Sequence, residues 1–375
     1  MENRRPCWSR RCAQGAAETA RLRLVITGGG TGGHIYPALE VGRHAAERGH
    51  ELLYFGSIRG QESKACAERD IPFSGFPSEP LYSLKTLRGL KALIRLQQAR
   101  VMARKALRIR TPDVVFSTGG YSAGPVVAAA RDLKIPYVIH SSDSIPARSS
   151  SLFAKQAAAF TCTFNATVDY MEEIEVIRTG QPIRRELRSA AFGKPDGEAL
   201  VLVIGGSQGS QYLNQTVPKA AATDGFQAQV LHACGPAHLE STQKLIEKLN
   251  LADRYFVVPY LDTGHLAAAY RRAMVVVSRS GGTLAELAMF GLPSVLVPLP
   301  SSANNHQLHN ATEFVNMNAA TLFRQSDAAP SLMAEAVMGW IEHPGRRENA
   351  RRNLHGWDIP DSTERIYNLI RRAAK

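Results

Sequence analysis

The sequence predicts an α/β protein with two Rossmann-like parallel-sheet domains that face each other across a cleft. Short apolar, β-branched runs alternate with amphipathic helical stretches along most of the chain, as in doubly wound sheets. The alternation stops in a polar stretch near residues 185–198 and then starts again. At 375 residues and 44% hydrophobic content, the chain is long enough for two cores.

The first domain is predicted to span residues 21–190, behind a disordered extension at residues 1–20. The run "LRLVITG" is typical of a buried strand, "YPALEVGRHAAERG" predicts a helix that stops at Gly49, and "HELLYFGS" predicts the next strand. Two further strands are predicted at "DVVFSTGG" and "IPYVIHSS", each β-branched and ended by Gly or Ser.

The second domain is predicted at residues 198–356. The run "LVLVIGGSQGSQYLNQTVPKAA" predicts a strand, a glycine loop and a helix, and more strands are predicted at "QAQVLHACG", "YFVVPYL", "MVVVSRSGG" and "PSVLVPLP". Residues 357–375 contain the amphipathic run "TERIYNLIRRAAK", which we expect to pack back on the first domain. Ligands of such folds bind outside the carboxyl ends of the strands, so a cleft between the domains is expected.

Composition makes several classes of protein improbable. No apolar run approaches the roughly 20 residues of a membrane span, and the arginines near the N-terminus have no apolar core behind them, so a cytosolic protein is expected. The five cysteines form no C-x-x-C pair, which predicts reduced thiols and neither a zinc site nor a disulfide framework.

A first glycine loop, Gly28 to Gly33, has the spacing Gly28-x-Gly30-x-x-Gly33 of a dinucleotide fingerprint. That interpretation requires an acidic residue at the end of the second strand to hold the ribose, and that strand ends in Gly56-Ser57. A tight turn without a ligand would explain one or two glycines, whereas five of six favour a bound diphosphate.

His34 follows the first glycine loop at the start of the predicted helix. A lone histidine is most often a structural residue. At a helix N-terminus, however, the positive end of the dipole favours the neutral imidazole. A neutral imidazole beside an anion site is a competent general base.

Three more glycine loops follow predicted strands. The second is "STGGYSAGP" at residues 117–125, the third is "GGSQGSQYLN" at 205–214, and the fourth opens "SRSGGTLAELAMFGLP" at 278–293. In the fourth loop, Thr283 and Glu286 have the spacing of a capping box. Glu286 could equally accept hydrogen bonds from both hydroxyls of a ribose, and the spacing does not choose between these roles.

The chain resembles the MurG family of the GT-B glycosyltransferases, from about Leu22 to the C-terminus. The matching motifs, in order, are "GGGTGGHIYPAL", "STGGYSAGP", "TGQPIR", "GGSQGSQYLN", "SRSGGTLAELAMFGLPSVLVPLP" and "NNHQLHNA". The resemblance implies a GT-B fold and an inverting transferase. Such an enzyme moves N-acetylglucosamine from UDP-GlcNAc to the C4 hydroxyl of the MurNAc of lipid I, the undecaprenyl-diphosphate-linked MurNAc-pentapeptide, giving lipid II for peptidoglycan synthesis.

The resemblance also implies roles for individual residues. His34 would deprotonate the acceptor hydroxyl, and the first two glycine loops would face the acceptor diphosphate through Thr31, Gly32, Gly33, Gly119, Gly120 and Tyr121. The implied donor-binding residues are Asp143, Arg184, Ser207, Gln208, Gly209, Leu266, Gly282, Thr283, Glu286, Gln307 and Asn310. No metal and no cofactor is implied, because backbone amides and helix dipoles would stabilise the departing UDP.

Some positions depart from the family's pattern. Where the family usually carries "HEQNxxPGxxN", this chain has "HSSDSIPARSS", so that Asp143 stands in place of an Asn expected near the donor sugar. An aspartate can accept a hydrogen bond from a sugar hydroxyl but cannot donate one. The fourth glycine loop is one residue shorter than usual, and Leu266 stands where Met commonly lies beside the uracil.

The net charge of +12 lies in the first half of the chain. Residues 81–110 hold nine basic residues and no acidic one, interleaved with leucines. The expected contact with an anionic membrane comprises Leu81, Tyr82, Lys85, Arg88 and Lys91. A solvated basic helix and nucleic-acid binding are the alternatives, and no recognised nucleic-acid module supports the second. The protein is therefore expected to be peripheral, at the cytoplasmic face of the plasma membrane.

Two other functions stay open from the sequence. One is a GT-B transferase that uses another lipid acceptor, such as a diacylglycerol. The other is a non-catalytic, membrane-associated protein that binds UDP-sugars, which the altered "HSSDSIPARSS" segment makes conceivable.

Overall fold

A computed structural model of the chain describes residues 21–80, 86–191, 200–327 and 329–375. The first domain contains β1 (Arg23–Thr27), α1 (Gly32–Ala46), β2 (Glu51–Ser57), α2 (Glu62–Ala67), β3 (Phe73–Phe76), α3 (Leu87–Arg110), β4 (Val114–Ser117), α4 (Ala123–Asp132), β5 (Tyr137–Ser141), α5 (Arg148–Phe153), β6 (Ala159–Cys162), α6 (Ala166–Tyr170), β7 (Val176–Arg178) and α7 (Arg185–Ala190).

The second domain begins at β8 (Leu200–Ile204). It continues with α8 (Gln211–Ala221), β9 (Gln229–Ala233), α9 (Leu239–Lys248), β10 (Tyr255–Val258), α10 (Thr263–Arg272), β11 (Ala273–Ser278), α11 (Thr283–Phe290), β12 (Ser294–Leu296), α12 (His306–Asn316), β13 (Ala320–Leu322), α13 (Pro330–Ile341) and α14 (Pro344–Trp357). A last helix, α15 (Ser362–Ala373), follows this domain. Short 3-10 turns lie at Ala154–Gln156, Pro236–His238 and Ala303–Asn305.

Two parallel sheets confirm the predicted fold class. The first sheet has the strand order β3-β2-β1-β4-β5-β6-β7 and the second has the order β10-β9-β8-β11-β12-β13. The direction of winding reverses between β1 and β4 in the first sheet and between β8 and β11 in the second. These four strands are the ones that lead into the four glycine loops, so the loops meet at the topological switch points where ligands of such folds bind.

Helix α1 begins four residues earlier than the predicted run "YPALEVGRHAAERG". Gly32 and Gly33 form its first turn, which local propensity would not suggest because glycine is a poor helix former. A Cβ on Gly282 would lie 3.3 Å from the Cα of Gly33, so a close approach of the two domains favours glycine here. The start of α1 therefore lies against the start of α11.

The last helix, α15, returns to the first domain. Its side chains Ile366, Tyr367 and Ile370 are buried in the same core cluster as α1 and β1. On the surface of this contact, Glu364 accepts hydrogen bonds at 2.8 Å from His44 of α1 and from Arg48, just after the end of that helix. Burial lowers the pKa of His44, and the nearby Arg48 cation adds to this effect.

Candidate active site

A cleft of about 750 Å³ lies between the two domains at the carboxyl ends of the strands. The first, third and fourth glycine loops contribute to its lining. The predicted site residues that line it are Thr31, Gly32, Gly33, His34, Asp143, Arg184, Ser207, Gly209, Leu266, Gly282, Thr283, Glu286 and Gln307. Residues predicted to act on the acceptor and on the donor therefore face one space.

The second glycine loop lies behind the first and does not line the cleft. Gly29 donates a backbone hydrogen bond to the carbonyl oxygen of Gly119 at 3.2 Å, and a Cβ on Gly120 would collide with the carbonyl of Gly29. The ring of Tyr121 packs against Gly30. In this arrangement Gly119, Gly120 and Tyr121 support the first loop.

His34 is held by a main-chain contact. Its Nδ1 lies 2.9 Å from the carbonyl oxygen of Thr118. Because a carbonyl can only accept, Nδ1 carries the proton, and the lone pair of the neutral ring lies on Nε2. Among the described residues Nε2 has no hydrogen-bond partner, which leaves it available to a ligand in the cleft.

Glu286 belongs to an ion pair and not to a capping box. The N-cap of α11 is Gly282, which makes no side-chain cap, so the capping interpretation with Thr283 is wrong. The Glu286 carboxylate lies 3.3 Å from Arg184 and accepts a 2.8 Å hydrogen bond from Tyr270. Burial and this carboxylate raise the pKa of Tyr270 well above its usual value, which keeps it a donor.

The Arg184 guanidinium is mostly buried beside the cleft, with its side chain 14% exposed. It also donates to Thr263 at 2.9 Å. Burial lowers its pKa, but the attraction of Glu286 outweighs that effect and raises it overall. Arg184 therefore stays a cation at the edge of the cleft.

The third glycine loop turns into α8 under a side-chain cap. Ser210 accepts from the backbone N–H of Leu213 at 3.4 Å, and the positive φ of Gly206 and Gly209 bends the loop. Ser207 is exposed and lines the cleft, whereas Gln208 is exposed but does not line the cleft. The N-terminus of α8 thus offers backbone donors to an anion.

Arg279 lines the cleft and was missed from the sequence. It donates to the carbonyl oxygens of Val297 and Pro298 at 2.9 and 3.2 Å, and within the described residues no carboxylate pairs with it. Burial lowers its pKa. Arg279 lies inside the motif "SRSGG", but a single arginine between serines does not indicate that it will line a cleft, partly buried and without a carboxylate partner.

Asn310 is fully buried and joins the two domains, which corrects its predicted place in the cleft. Its Oδ1 accepts from the backbone N–H and the hydroxyl of Ser144 at 2.8 and 2.7 Å. Its Nδ2 donates to Asp143 at 2.9 Å and to the carbonyl of Ser280 at 3.0 Å. Every hydrogen-bonding site of this amide is therefore occupied by protein.

Removing this amide is expected to destabilise the protein. We expect Asn310→Ala to lower the free energy of unfolding by about 2–4 kcal/mol, because it leaves buried partners in both domains unsatisfied. Thermal and urea unfolding measure the loss. The control is Asn353→Ala, whose amide makes one 2.7 Å bond to Met317 and should cost less. Equal losses in the two variants would contradict the bridging role.

The altered segment "HSSDSIPARSS" is anchored by buried polar contacts. Ser141 donates to the carbonyl of Asp143 at 2.9 Å, and Ser142 accepts from Gln181 at 3.3 Å. The Gln181 oxygen lies 3.2 Å from Nε2 of His140, whose pKa burial lowers to about 4. Serines at these positions therefore still fix Asp143 beside the cleft.

The basic stretch is partly described. Leu81, Tyr82 and Lys85 lie outside the described residues, whereas Arg88 and Lys91 are exposed in the first turns of α3. No helix within the described residues is long and apolar enough to cross a membrane. Likewise, residues 21–80, 86–191, 200–327 and 329–375 contain no group of three or more His, Cys, Asp or Glu side chains placed to hold a metal ion.

Comparisons with known proteins give the family. Residues 24–161 match the glycosyltransferase family 28 N-terminal domain, and residues 200–366 match its C-terminal domain. A UDP-N-acetylglucosamine--N-acetylmuramyl-(pentapeptide) pyrophosphoryl-undecaprenol N-acetylglucosamine transferase of Bacillus licheniformis is 32% identical, over 93% of this chain and 98% of that protein. The chain belongs to the MurG family. The transferase of the same name from Lactococcus lactis subsp. lactis is 30% identical over 94% of this chain and its whole length.

The fold agrees with that of a solved MurG. The crystal structure of Acinetobacter baumannii MurG superimposes with a TM-score of 0.75, at 24% identity, over 94% of this chain and 99% of that one. The MurG resemblance that the six motifs indicated is thus confirmed. The roles of the individual site residues stay predictions.

Proposed function

We propose that this chain transfers N-acetylglucosamine from UDP-GlcNAc to the MurNAc of lipid I and produces lipid II. One observation carries the proposal: in a chain whose full-length relatives bear that activity in their names, His34 of the first domain and the Arg184–Glu286 pair face the same cleft. An acceptor and a nucleotide-sugar can therefore meet beside a base.

The acceptor half of the cleft holds its diphosphate at the start of α1. Thr31, Gly32 and Gly33 offer backbone N–H groups at the positive end of this helix. The lone pair on Nε2 of His34 takes the proton from the C4 hydroxyl as that oxygen attacks the anomeric carbon. The new glycosidic bond forms, the bond from the anomeric carbon to the phosphate oxygen breaks, and the configuration inverts because attack comes from the opposite face.

The donor half stabilises the UDP that leaves. Arg184 and Arg279 are cations beside the cleft, and the N-termini of α8 and α11 add backbone donors, so charge that develops on the diphosphate meets fixed positive groups. Glu286 accepts from the ribose hydroxyls, and Leu266 contacts the uracil.

The sugar of UDP-GlcNAc lies between Asp143, which accepts hydrogen bonds, and Gln307, which donates them. One carboxylate oxygen of Asp143 accepts a hydrogen bond from Asn310, and the other oxygen has no partner among the described residues. The Gln307 oxygen accepts from the N–H of Leu299 at 2.9 Å, which leaves its amide NH2 for a sugar oxygen. Asn310 contributes by holding Asp143.

The start of α3 supplies the membrane contact. Leu87, Leu90 and Ile94 are 80%, 51% and 51% exposed, and Arg88 and Lys91 lie among them. The opposite face of α3 packs small residues such as Ala99 and Ala103 against α4. An apolar stripe with cations beside it suits an anionic leaflet, which supports a peripheral enzyme at the cytoplasmic face of the plasma membrane.

Two cations of α3 are paired with carboxylates of the first domain. Arg95 pairs with Glu79 at 2.7 Å, and Arg100 pairs with Asp132 at 2.6 Å. The exposed cations farther along the helix are Arg104, Lys105, Arg108 and Arg110. The positive surface offered to a membrane therefore extends beyond the N-terminal turns.

Charge reversal tests this contact. We expect Arg88→Glu with Lys91→Glu to lower binding to anionic phosphatidylglycerol vesicles about 30-fold or more, since each cation near such a surface contributes about 1 kcal/mol. Vesicle sedimentation at low and high salt measures it. The control pair, Lys244→Glu with Lys248→Glu on exposed α9, should bind like wild type. Unchanged binding of the α3 pair would refute the membrane contact.

Turnover tests the function itself. We expect the protein to release UDP from UDP-GlcNAc with a soluble lipid I analogue and to form the disaccharide product. UDP-GlcNAc binding without UDP release would favour the non-catalytic binding protein. UDP release with a diacylglycerol and none with the lipid I analogue would favour another lipid acceptor.

A further inference from the structure

The ring of Tyr36 lies between the first glycine loop and the donor side of the cleft. Tyr36 lines the cleft from α1, one turn after Gly32. A Cβ on Gly32 would be 3.1 Å from the ring, so the loop packs directly on it. The ring is therefore in contact with the loop proposed to hold the acceptor diphosphate.

Two guanidinium groups contact the ring of Tyr36. The Cζ of Arg184 lies 5.2 Å from the ring centroid, and the Cζ of Arg69 lies 5.3 Å from it. Both distances are within the range of cation–π attraction. Arg184 is the mostly buried one of the two, and burial strengthens this attraction because less water competes for the cation.

Arg184 is held by hydrogen bonds to the second domain and by a ring of the first. Thr263 and Glu286 accept from its two terminal nitrogens, while its Cζ lies over the ring of Tyr36. The contact with the ring adds a third point of attachment to the two hydrogen bonds. A guanidinium that is held at three points loses less entropy when it meets a phosphate.

We propose that Tyr36 is a positioning residue for the donor: its aromatic face holds the Arg184 guanidinium in the orientation that meets the diphosphate of the nucleotide-sugar. The proposal rests on the proposed function for the identity of that ligand. Because the ring also packs on Gly32, one side chain connects the acceptor loop with the donor diphosphate group.

The proposal assigns the positioning effect to the aromatic face of Tyr36, and not to its hydroxyl group or its volume. Tyr36→Phe keeps the face and should leave the Kd for UDP and the KM for UDP-GlcNAc within about twofold of wild type. Tyr36→Leu and Tyr36→Met fill much of the space without a π system, and each should raise both quantities about three- to tenfold. The kcat should also fall by a few fold, because the misplaced guanidinium no longer meets the charge that develops on the departing UDP.

A double-mutant cycle separates positioning from general packing. In an Arg184→Met background, Tyr36→Leu should not weaken UDP binding further, because the group that the ring positions is gone. Arg69→Met is the matched control: it removes the other guanidinium from the same ring, and we expect the KM for UDP-GlcNAc to stay within about twofold of wild type.

Calorimetric UDP binding provides the decisive readout, since it needs no turnover. UDP binding as tight in Tyr36→Leu and Tyr36→Met as in wild type would overturn the proposal. So would a loss of equal size in the Arg184→Met background. If Tyr36→Leu fails to fold, Tyr36→Met decides between these outcomes. Failure of the wild type to release UDP from UDP-GlcNAc would instead count against the proposed function.

Discussion

Replacing His34 with alanine is expected to lower kcat about 100- to 10,000-fold while the KM for UDP-GlcNAc stays close to that of wild type. The magnitude is that of a positioned general base. The Thr118 carbonyl holds the proton of the ring on Nδ1, which turns the lone pair of Nε2 to the ligand side. The donor contacts come from other residues, so binding of the nucleotide should survive.

Single-turnover measurement of disaccharide formation gives the cleanest test, because it reports the chemical step without product release. The matched control is His343→Ala. His343 also places Nδ1 near a backbone carbonyl, that of Gly339 at 3.1 Å, but it lies at the start of α14 and does not line the cleft. If His34→Ala turns over within about twofold of wild type, His34 is not the general base, even where the protein does transfer N-acetylglucosamine to lipid I.

Glu286→Gln is expected to raise the KM for UDP-GlcNAc and the Kd for UDP about 10- to 100-fold. The substitution keeps the shape but removes the carboxylate that would accept from both ribose hydroxyls, and a hydrogen bond to a charged group contributes roughly 1.5–3 kcal/mol. It also removes the charge opposite Arg184. The affinity for donor should fall more than kcat.

Nucleotide competition distinguishes a ribose contact from mere loss of the ion pair. If Glu286 binds the ribose, the variant should lose its preference for UDP over the 2′,3′-dideoxy nucleotide, whereas loss of the ion pair alone would weaken both equally. Glu335→Gln on exposed α13 of the same domain is the control and should resemble wild type. An unchanged preference in Glu286→Gln would refute the ribose contact.

The alternation of strands and helices could be predicted from the sequence, and so could the places of the four glycine loops. A strand of four to seven buried residues followed by glycine is encoded locally, in residues that are neighbours along the chain. The short strands β3, β6 and β7 escaped notice, because three or four residues such as "FSGF" carry little periodicity.

The residues of the candidate active site could be predicted only where they lie in or beside a recognisable motif. His34 and Glu286 could be selected because each follows a glycine loop. Arg279 was missed because nothing in its sequence neighbours shows that it lines the cleft without a carboxylate partner. The sequence gives no sign of the contact at Tyr36, since the guanidinium of Arg184 comes from far along the chain.

The sequence by itself determined the α/β alternation, the glycine loops, the basic character of α3 and the family, because these depend on residues close together in the chain. Tertiary structure alone decided that Asn310 bridges to Asp143, 167 residues away, and that Glu286 pairs with Arg184, 102 residues away. It also placed the second glycine loop behind the first. Such contacts depend on how the two sheets pack and where their switch points meet, and no local pattern encodes that geometry.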